Sequence, residues 1–514
     1  MIEQNDALRI RLFRTGNEVQ QYISDYRPIK LRQFSFDVKD LSSWEEEQTR
    51  SPFILYDSDL VYFAHISLKE NKDAFFVKIH HLIADTWSIT LLLRYIFHCY
   101  QEFKKEESIS LEKKPSYVDF ILEDVAYLNS DKFRVKQQFW QEKFSSIPQC
   151  TSIRPGRLIH SMKADRSTFK LDYDLTQEIR KFCKEYKVSE FIVLFSALAL
   201  YISRITSTSD IVIGTPVLNR SNAKQKNTLG MFISNVPFRI TLDGDWDFKT
   251  YLTVTTKEWK QILKNQRFPY SLILKDFREK HQTAQNLIDI SMSYQNATFG
   301  IEHLDYSSKW HFNGNEINSV TIHINDRETT GTLIIDYAYL IDVFSPDDIL
   351  HMHNGITNIL RNSMGNPSER ISKIPLLSDE NFSQLLEFNS TQLEIPQQVT
   401  THQLFEAQVL IDPNRIALVF KQESLTYKDL NRRANQLARL LRARGVHQDI
   451  IVGVMVKRSF EMLISILAVL KAGGAYLPID PSYPLERIQY MLTDSQCKLM
   501  LGEPGLFCDS LLRY

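Results

Sequence analysis

The chain changes texture once, between about Gly365 and Thr400, and that break points to two folded parts rather than one. Pro367, Pro375 and Pro396 fall there, with the polar run Asn389-Ser390-Thr391-Gln392. Before it, short apolar strands and helices mix without a fixed period. After it, an amphipathic stretch, Tyr427 to Arg444, leads into an apolar strand, Ile450–Val456. A helix over Ser459–Ala472 ends at Gly473-Gly474, and a strand, Ala475–Ile479, closes a βαβ unit. The fold class is therefore α/β, and 514 residues suffice for two or three domains.

Composition narrows the function classes. A net charge of −1 gives no bulk attraction to nucleic acid or an anionic membrane. The five cysteines, Cys99, Cys150, Cys183, Cys497 and Cys508, form no CxxC pair, which argues against a disulfide framework or a zinc site and fits a reducing compartment. The N-terminus, MIEQNDALRIRLF, lacks the apolar core of a signal peptide. The apolar run Met462–Leu470 is too short to span a bilayer, so a cytoplasmic protein is expected.

The first part reads as follows. Val61–Leu68 and Ala74–His81 form a hairpin about the turn Glu70–Asp73, and Trp87 to Phe103 follows as a helix. Further helices fall at Thr176–Tyr186 and Glu190–Arg204, then a strand, Asp210–Ile213, ending in Gly214-Thr215-Pro216. His80 and His81 close a strand in this reading, so they point to opposite faces and only one meets any reacting group. A neutral imidazole there accepts a proton from an amine or stabilises a tetrahedral intermediate. Asp85, in the loop or first turn of the next helix, either binds a buried arginine or orients the imidazole; the first role is favoured, because a buried carboxylate needs a cationic partner. The bland alternative is two ordinary core or surface histidines. A metal site is disfavoured, since adjacent strand residues diverge and no third histidine has ligand spacing.

The stretch HHLIADTWS, His80 to Ser88, resembles the core motif of nonribosomal peptide synthetase condensation domains. Other segments match the family in order: Asn5–Phe13, Ser116–Phe120 with Trp140, Ile213–Arg220 through Gly230–Asn235, and Ser293–Asn296. The resemblance covers nearly all of residues 1–375. It implies two chloramphenicol-acetyltransferase-like lobes in a V with a tunnel between them. It also implies amide-bond formation between a donor acyl thioester and an acceptor amine, each carried on the phosphopantetheine arm of a carrier domain. His81 matches the family's second histidine, at the reacting centre, with His80 beside it. Asp85 matches the structural aspartate and Arg220 is the expected ionic partner. Asn296 and Ser88 are weaker candidates for lining the tunnel; a turn-capping role is the competing reading of Asn296. The chain departs from the pattern at Thr86, where glycine is usual, and at Asn5, where histidine is usual. It also starts at that early segment, so the first strand and helix are expected to be missing, with a cost to folding.

Leu425–Ala438 and Leu470–Pro481 resemble the first two core motifs of amino-acid adenylation domains. The expected division is condensation domain 1–375, linker 376–400 and the N-terminal part of an AMP-binding subdomain 401–514. Residues 481–514 carry no Ser/Thr/Gly-rich phosphate loop, so no ATP binding and no bound cofactor are expected. The expected partners are upstream and downstream carrier domains and the rest of an assembly line, with neither nucleic acid nor membrane. Two other readings stand: a non-catalytic remnant of a synthetase, and a free-standing coenzyme A-dependent acyltransferase, against which the adenylation-like tail argues.

Overall fold

The computed structural model describes residues 1–69, 72–105, 114–295, 308–326, 331–394, 398–503 and 505–506. The chain separates into two compact units, Met1–Asn389 and Ser390–Tyr514. The stretch read as linker is not extended throughout: Ser378 caps a helix, Asp379–Phe388, that buries none of its residues.

The first unit holds two groups of elements. In the first, strands Arg32–Phe36, Val61–Leu68 and Lys72–Ile79 form a sheet in that order. The last two are the expected hairpin, paired antiparallel from Val61↔Ile79 to Leu68↔Lys72. Two residues of its turn, 70 and 71, lie outside the described residues. The helix that follows spans Thr86–Lys104, close to expectation. Ala7, Leu8, Ile10, Leu60, Ile83, Leu92 and Tyr117 share one core cluster with Leu229 and Phe232, which arrive from far along the chain.

The second group is built on a six-stranded sheet, ordered Ala164–Lys170, Ile334–Leu340, Val320–Asn325, Ile290–Gln295, Asp210–Val217 and Ser234–Thr241. Asp210–Val217 runs on through Gly214, Thr215 and Pro216, where the strand was expected to stop. Pro216 does not end it, since a proline at a position that needs no ladder donor is compatible with a strand. Ile290, Met292, Ile322, Ile324, Ile335 and Tyr337 alternate onto an apolar face within the largest core cluster. Helices Tyr173–Tyr186, Glu190–Thr206, Phe248–Lys264 and Pro346–Gly365 contribute to the same cluster. Glu190–Thr206 is buried continuously from Ile192 to Ile202, so it is apolar all round. Among the described residues no single helix is long and apolar enough to cross a membrane.

In the second unit, helix Tyr427–Ala443 is capped by Thr426, whose hydroxyl accepts from the Asp429 amide. Strands Ala475–Pro478, Ile451–Met455 and Leu499–Gly502 form a parallel sheet in that order, and helix Phe460–Ala472 makes the expected βαβ crossover. Gly473 ends that helix at φ +95°, a conformation that favours glycine. Lys471 is buried there, its ammonium held by Glu406 and by Asn431 Oδ1 at 2.8 Å.

Candidate functional site

The hairpin strand ends at Ile79, one residue before the histidine pair. His80 still holds strand-like contact, donating its amide to Leu60 O at 2.9 Å, but His81–Ile83 form a turn. The expectation that both histidines sit on a strand with opposed faces is therefore corrected. The turn forms because the His80 carbonyl accepts from the Ile83 amide at 3.1 Å, and the His80 ring Nδ1 accepts from the Leu82 amide at 3.2 Å. That bond leaves His80 engaged locally, with its ring edge-on to Phe53 at 5.8 Å. Burial, and then the neighbouring His81, lower its pKa, so His80 is neutral at physiological pH. His81 itself is exposed, at the tip of the turn.

The turn is anchored immediately downstream. Ile83 and Ala84 are buried, and Asp85 is the N-cap of the helix Thr86–Lys104. Asp85 Oδ1 accepts from the Ser88 amide and hydroxyl, both at 2.8 Å. Asp85 Oδ2 accepts from the amides of Phe232 at 3.1 Å and Ile233 at 3.3 Å. Arg220 Nη2 reaches both carboxylate oxygens, at 3.0 and 3.1 Å, and both side chains are fully buried. The favoured reading of Asp85, a partner for a buried arginine, is thus what the geometry holds, and the arginine is the expected one.

Arg220 is more than half of an ion pair. Its Nη1 donates to the carbonyls of Gln225 and Thr228, and its Nη2 to Gly230 O at 3.2 Å. Its guanidinium lies 3.8 Å from the Phe232 ring centroid. One cation therefore folds the segment from Arg220 to Phe232 around itself. Trp87 adds an indole bond to Lys226 O at 2.8 Å, and Tyr117 a hydroxyl bond to Met231 O at 2.6 Å. Burial raises the Tyr117 phenol to about 12, with Asp85 contributing, so it stays a neutral donor. Gly230 has φ +155°, and a Cβ there would collide with the Tyr117 ring.

Ser88 does not line an open space: it is fully buried, and its hydroxyl accepts from the Gly230 amide and Arg220 Nη2, each at 3.0 Å. Its place one turn into the helix, beneath the N-cap, points it into the ion-pair network. Asn296 lies outside the described residues. Sequence reasoning missed Gly230 and Tyr117 as parts of the anchor; the only linear signal was their place in the matched segments. Among the described residues no group of three or more His, Cys, Asp or Glu side chains is placed to hold a metal.

Chemically, the arrangement offers a solvent-facing imidazole on a short turn whose downstream end is fixed by a buried carboxylate. A family model described as a condensation domain matches residues 1–386, and one described as an AMP-binding enzyme matches residues 405–511. One component of the plipastatin synthase of Bacillus subtilis is 36% identical over 98% of the chain, which covers 20% of that protein. The first component of the surfactin synthase of the same organism is 34% identical over 98% of the chain, covering 14% of it. The chain thus spans a fifth or less of the length of these relatives. A crystal structure of a four-domain nonribosomal peptide synthetase bound to AMP and glycine superposes with a TM-score of 0.77 at 21% identity, over 99% of this chain and 40% of the other. That likeness carries the fold, and the expected chloramphenicol-acetyltransferase-like α/β architecture holds.

Proposed function

Because the chain belongs to the condensation-domain family, we propose that it joins a donor acyl or peptidyl group, held as a thioester on one carrier domain, to the amine of an aminoacyl group held on another. In this reading residues 1–375 do the chemistry, 376–400 join the parts and 401–514 begin an adenylation domain. The observation that carries it is the exposed His81 beside the buried Asp85–Arg220 pair, on the residues that match the family's motif. The acceptor amine attacks the thioester carbonyl. His81 accepts a hydrogen bond or a proton from that amine and the thiol departs, a role worth roughly 10²- to 10⁴-fold in rate. His80, neutral and bound to the turn backbone, shapes the turn. Asp85 and Arg220 set its position, and no resident cofactor takes part; the phosphopantetheine arms belong to the substrates.

The test supplies the purified chain with donor- and acceptor-loaded carrier domains and follows the amide by mass spectrometry. Product is expected from the native chain and not from His81→Ala. No product from a cooperatively melting native chain refutes the reading. A parallel arm with an acyl-coenzyme A donor distinguishes the coenzyme A-dependent acyltransferase alternative, which predicts product without a donor carrier.

A further inference from the structure

Two asparagines of the chain precede a glycine, at Asn313-Gly314 and Asn354-Gly355. In such a pair the side-chain amide easily meets the next backbone nitrogen, because glycine puts no Cβ beside it. The fold treats the two pairs differently. Asn354-Gly355 lies inside helix Pro346–Gly365, where interior amides donate to the carbonyl four residues back. Gly355 is buried there against the Tyr201 ring. Asn313-Gly314 lies outside any helix or strand, with Asn313 exposed and Gly314 at φ +79°. The Asn313 side chain is folded back over the next peptide, its Oδ1 accepting from the Asn315 amide at 3.0 Å. That bond keeps the side-chain carbonyl over the Gly314 peptide and polarises it, with a donor aimed where an oxyanion would form.

The same stretch ties together the two groups of elements in the first unit. Toward the first group, Lys309 Nζ reaches Glu45 of helix Val38–Arg50 at 2.8 Å, and the His311 ring lies 5.7 Å from that of Phe76. Toward the second, Trp310 O accepts from Arg166 Nη1 at 3.3 Å, and the Arg166 guanidinium lies 4.6 Å from the Phe312 ring centroid. Just beyond Asn313, Gly314 O accepts from the Ala164 amide at 2.9 Å, and the Glu316 amide donates to Met162 O at 3.0 Å. Asn313 thus sits between the tie and the rungs that anchor it to the sheet edge.

We propose that Asn313 is a site of spontaneous modification, at which its side-chain amide is converted to isoaspartate and the tie is loosened. Solvent hydroxide takes the proton of the Gly314 amide, and the nitrogen bonds to Asn313 Cγ. The side-chain carbon–nitrogen bond breaks, and the leaving nitrogen takes a proton from water and departs as ammonia. Water then opens the five-membered imide. Attack at the backbone carbonyl gives isoaspartate, with one methylene added to the main chain and one negative charge; attack at the other carbonyl gives aspartate. Water and hydroxide are the only co-reactants. The longer main chain shifts Gly314 against Ala164, so the rungs at 162–164 and the contacts of 309–312 no longer fit one register.

The experiment incubates the full chain at mildly alkaline pH and follows both asparagines by peptide mass spectrometry, folded and in urea. Isoaspartate is identified by methyl transfer from labelled S-adenosylmethionine with a protein isoaspartate methyltransferase. In the folded chain Asn313 is expected to keep at least about a tenth of its rate in urea. Asn354 should fall far below that, because it reacts only when its helix opens. Asn313→Gln should remove the methyl acceptor at this site. The modified fraction, separated by anion exchange, should show at least about tenfold faster hydrogen exchange at the Ala164 and Glu316 amides, with strand Ile290–Gln295 unchanged. A folded rate at Asn313 below a tenth of that in urea, or equal retention at both asparagines, overturns the site. Equal exchange in the modified and unmodified fractions overturns the loosening.

Discussion

Replacing Asp85 with asparagine tests how the motif turn is held. The change keeps the shape of the side chain and removes its charge. Every partner of the carboxylate is a donor: the Ser88 amide and hydroxyl, the Phe232 and Ile233 amides, and Arg220 Nη2. An asparagine oxygen serves some of these, but its amide group must then face other donors. Arg220 meanwhile stays buried without an anion, keeping only carbonyl and hydroxyl partners. Removing one partner of a buried pair costs about 3–5 kcal/mol. If that cost falls on local opening, it accelerates amide exchange by roughly 10²- to 4 × 10³-fold, at about 1.4 kcal/mol per decade. The assay is hydrogen exchange at Phe232 and Ile233, with strand Ile334–Leu340 as the internal control. A double variant, Asp85→Asn with Arg220→Met, removes the stranded charge and should recover much of the loss, for a coupling of about 2 kcal/mol or more. Exchange at both amides within threefold of native, or a coupling under about 0.5 kcal/mol like that of an exposed pair, refutes the reasoning.

Three further outcomes follow from the same geometry. His81→Ala should cut amide formation by roughly 10²-fold or more while leaving the melting temperature unchanged, because the side chain is exposed; a large fall in stability would place it in the core instead. Gly230→Ala should destabilise by about 1–3 kcal/mol through the clash with Tyr117, and Tyr117→Ala should relieve part of that loss in calorimetry; additive effects of the two changes would dismiss the clash. His353 is buried against Phe169, 3.2 Å from the Tyr337 hydroxyl, and burial lowers its pKa to about 4. The unfolded chain therefore binds this proton first. The stability this histidine contributes is complete above about pH 6.5 and is lost as pH falls toward 4, with a ceiling of about 3 kcal/mol. Denaturant titrations across that window should show a shallower pH slope in His353→Phe; an equal slope removes His353 from the acid sensitivity.

Parts of this structure were legible in the linear sequence because they depend on neighbours. Polar residues directly before an apolar helical period marked Asp85 as a cap, and glycine after Ala472 marked a helix end. Arg220 was reachable only through the ordered family segments, since nothing local ties it to Asp85. The end of the motif strand was misjudged by two residues, because His80 keeps one cross-chain bond past the last ladder pair. The helix Asp379–Phe388 was hidden by the prolines and polar residues around it, although Phe382, Leu385 and Leu386 have helical spacing. A polar row across the six-stranded sheet was invisible for a deeper reason. Ser293, His323 and Asp336 become neighbours only through a strand order and register that no local pattern encodes.

The buried carboxylate also has a consequence in time. Its bond to the Ser88 amide spans three residues and forms as soon as the helix does, whereas its bond to Arg220 spans 135 and those to Phe232 and Ile233 span 147 and 148. On a ribosome the distant donors do not yet exist when the motif emerges. The nascent chain must carry an unpaired aspartate at the head of a finished helix until synthesis has passed Ile233. Only then does closure of that long loop set the turn, so the turn that carries His81 is fixed well after its own residues have been made, once the chain has grown by about 150 more.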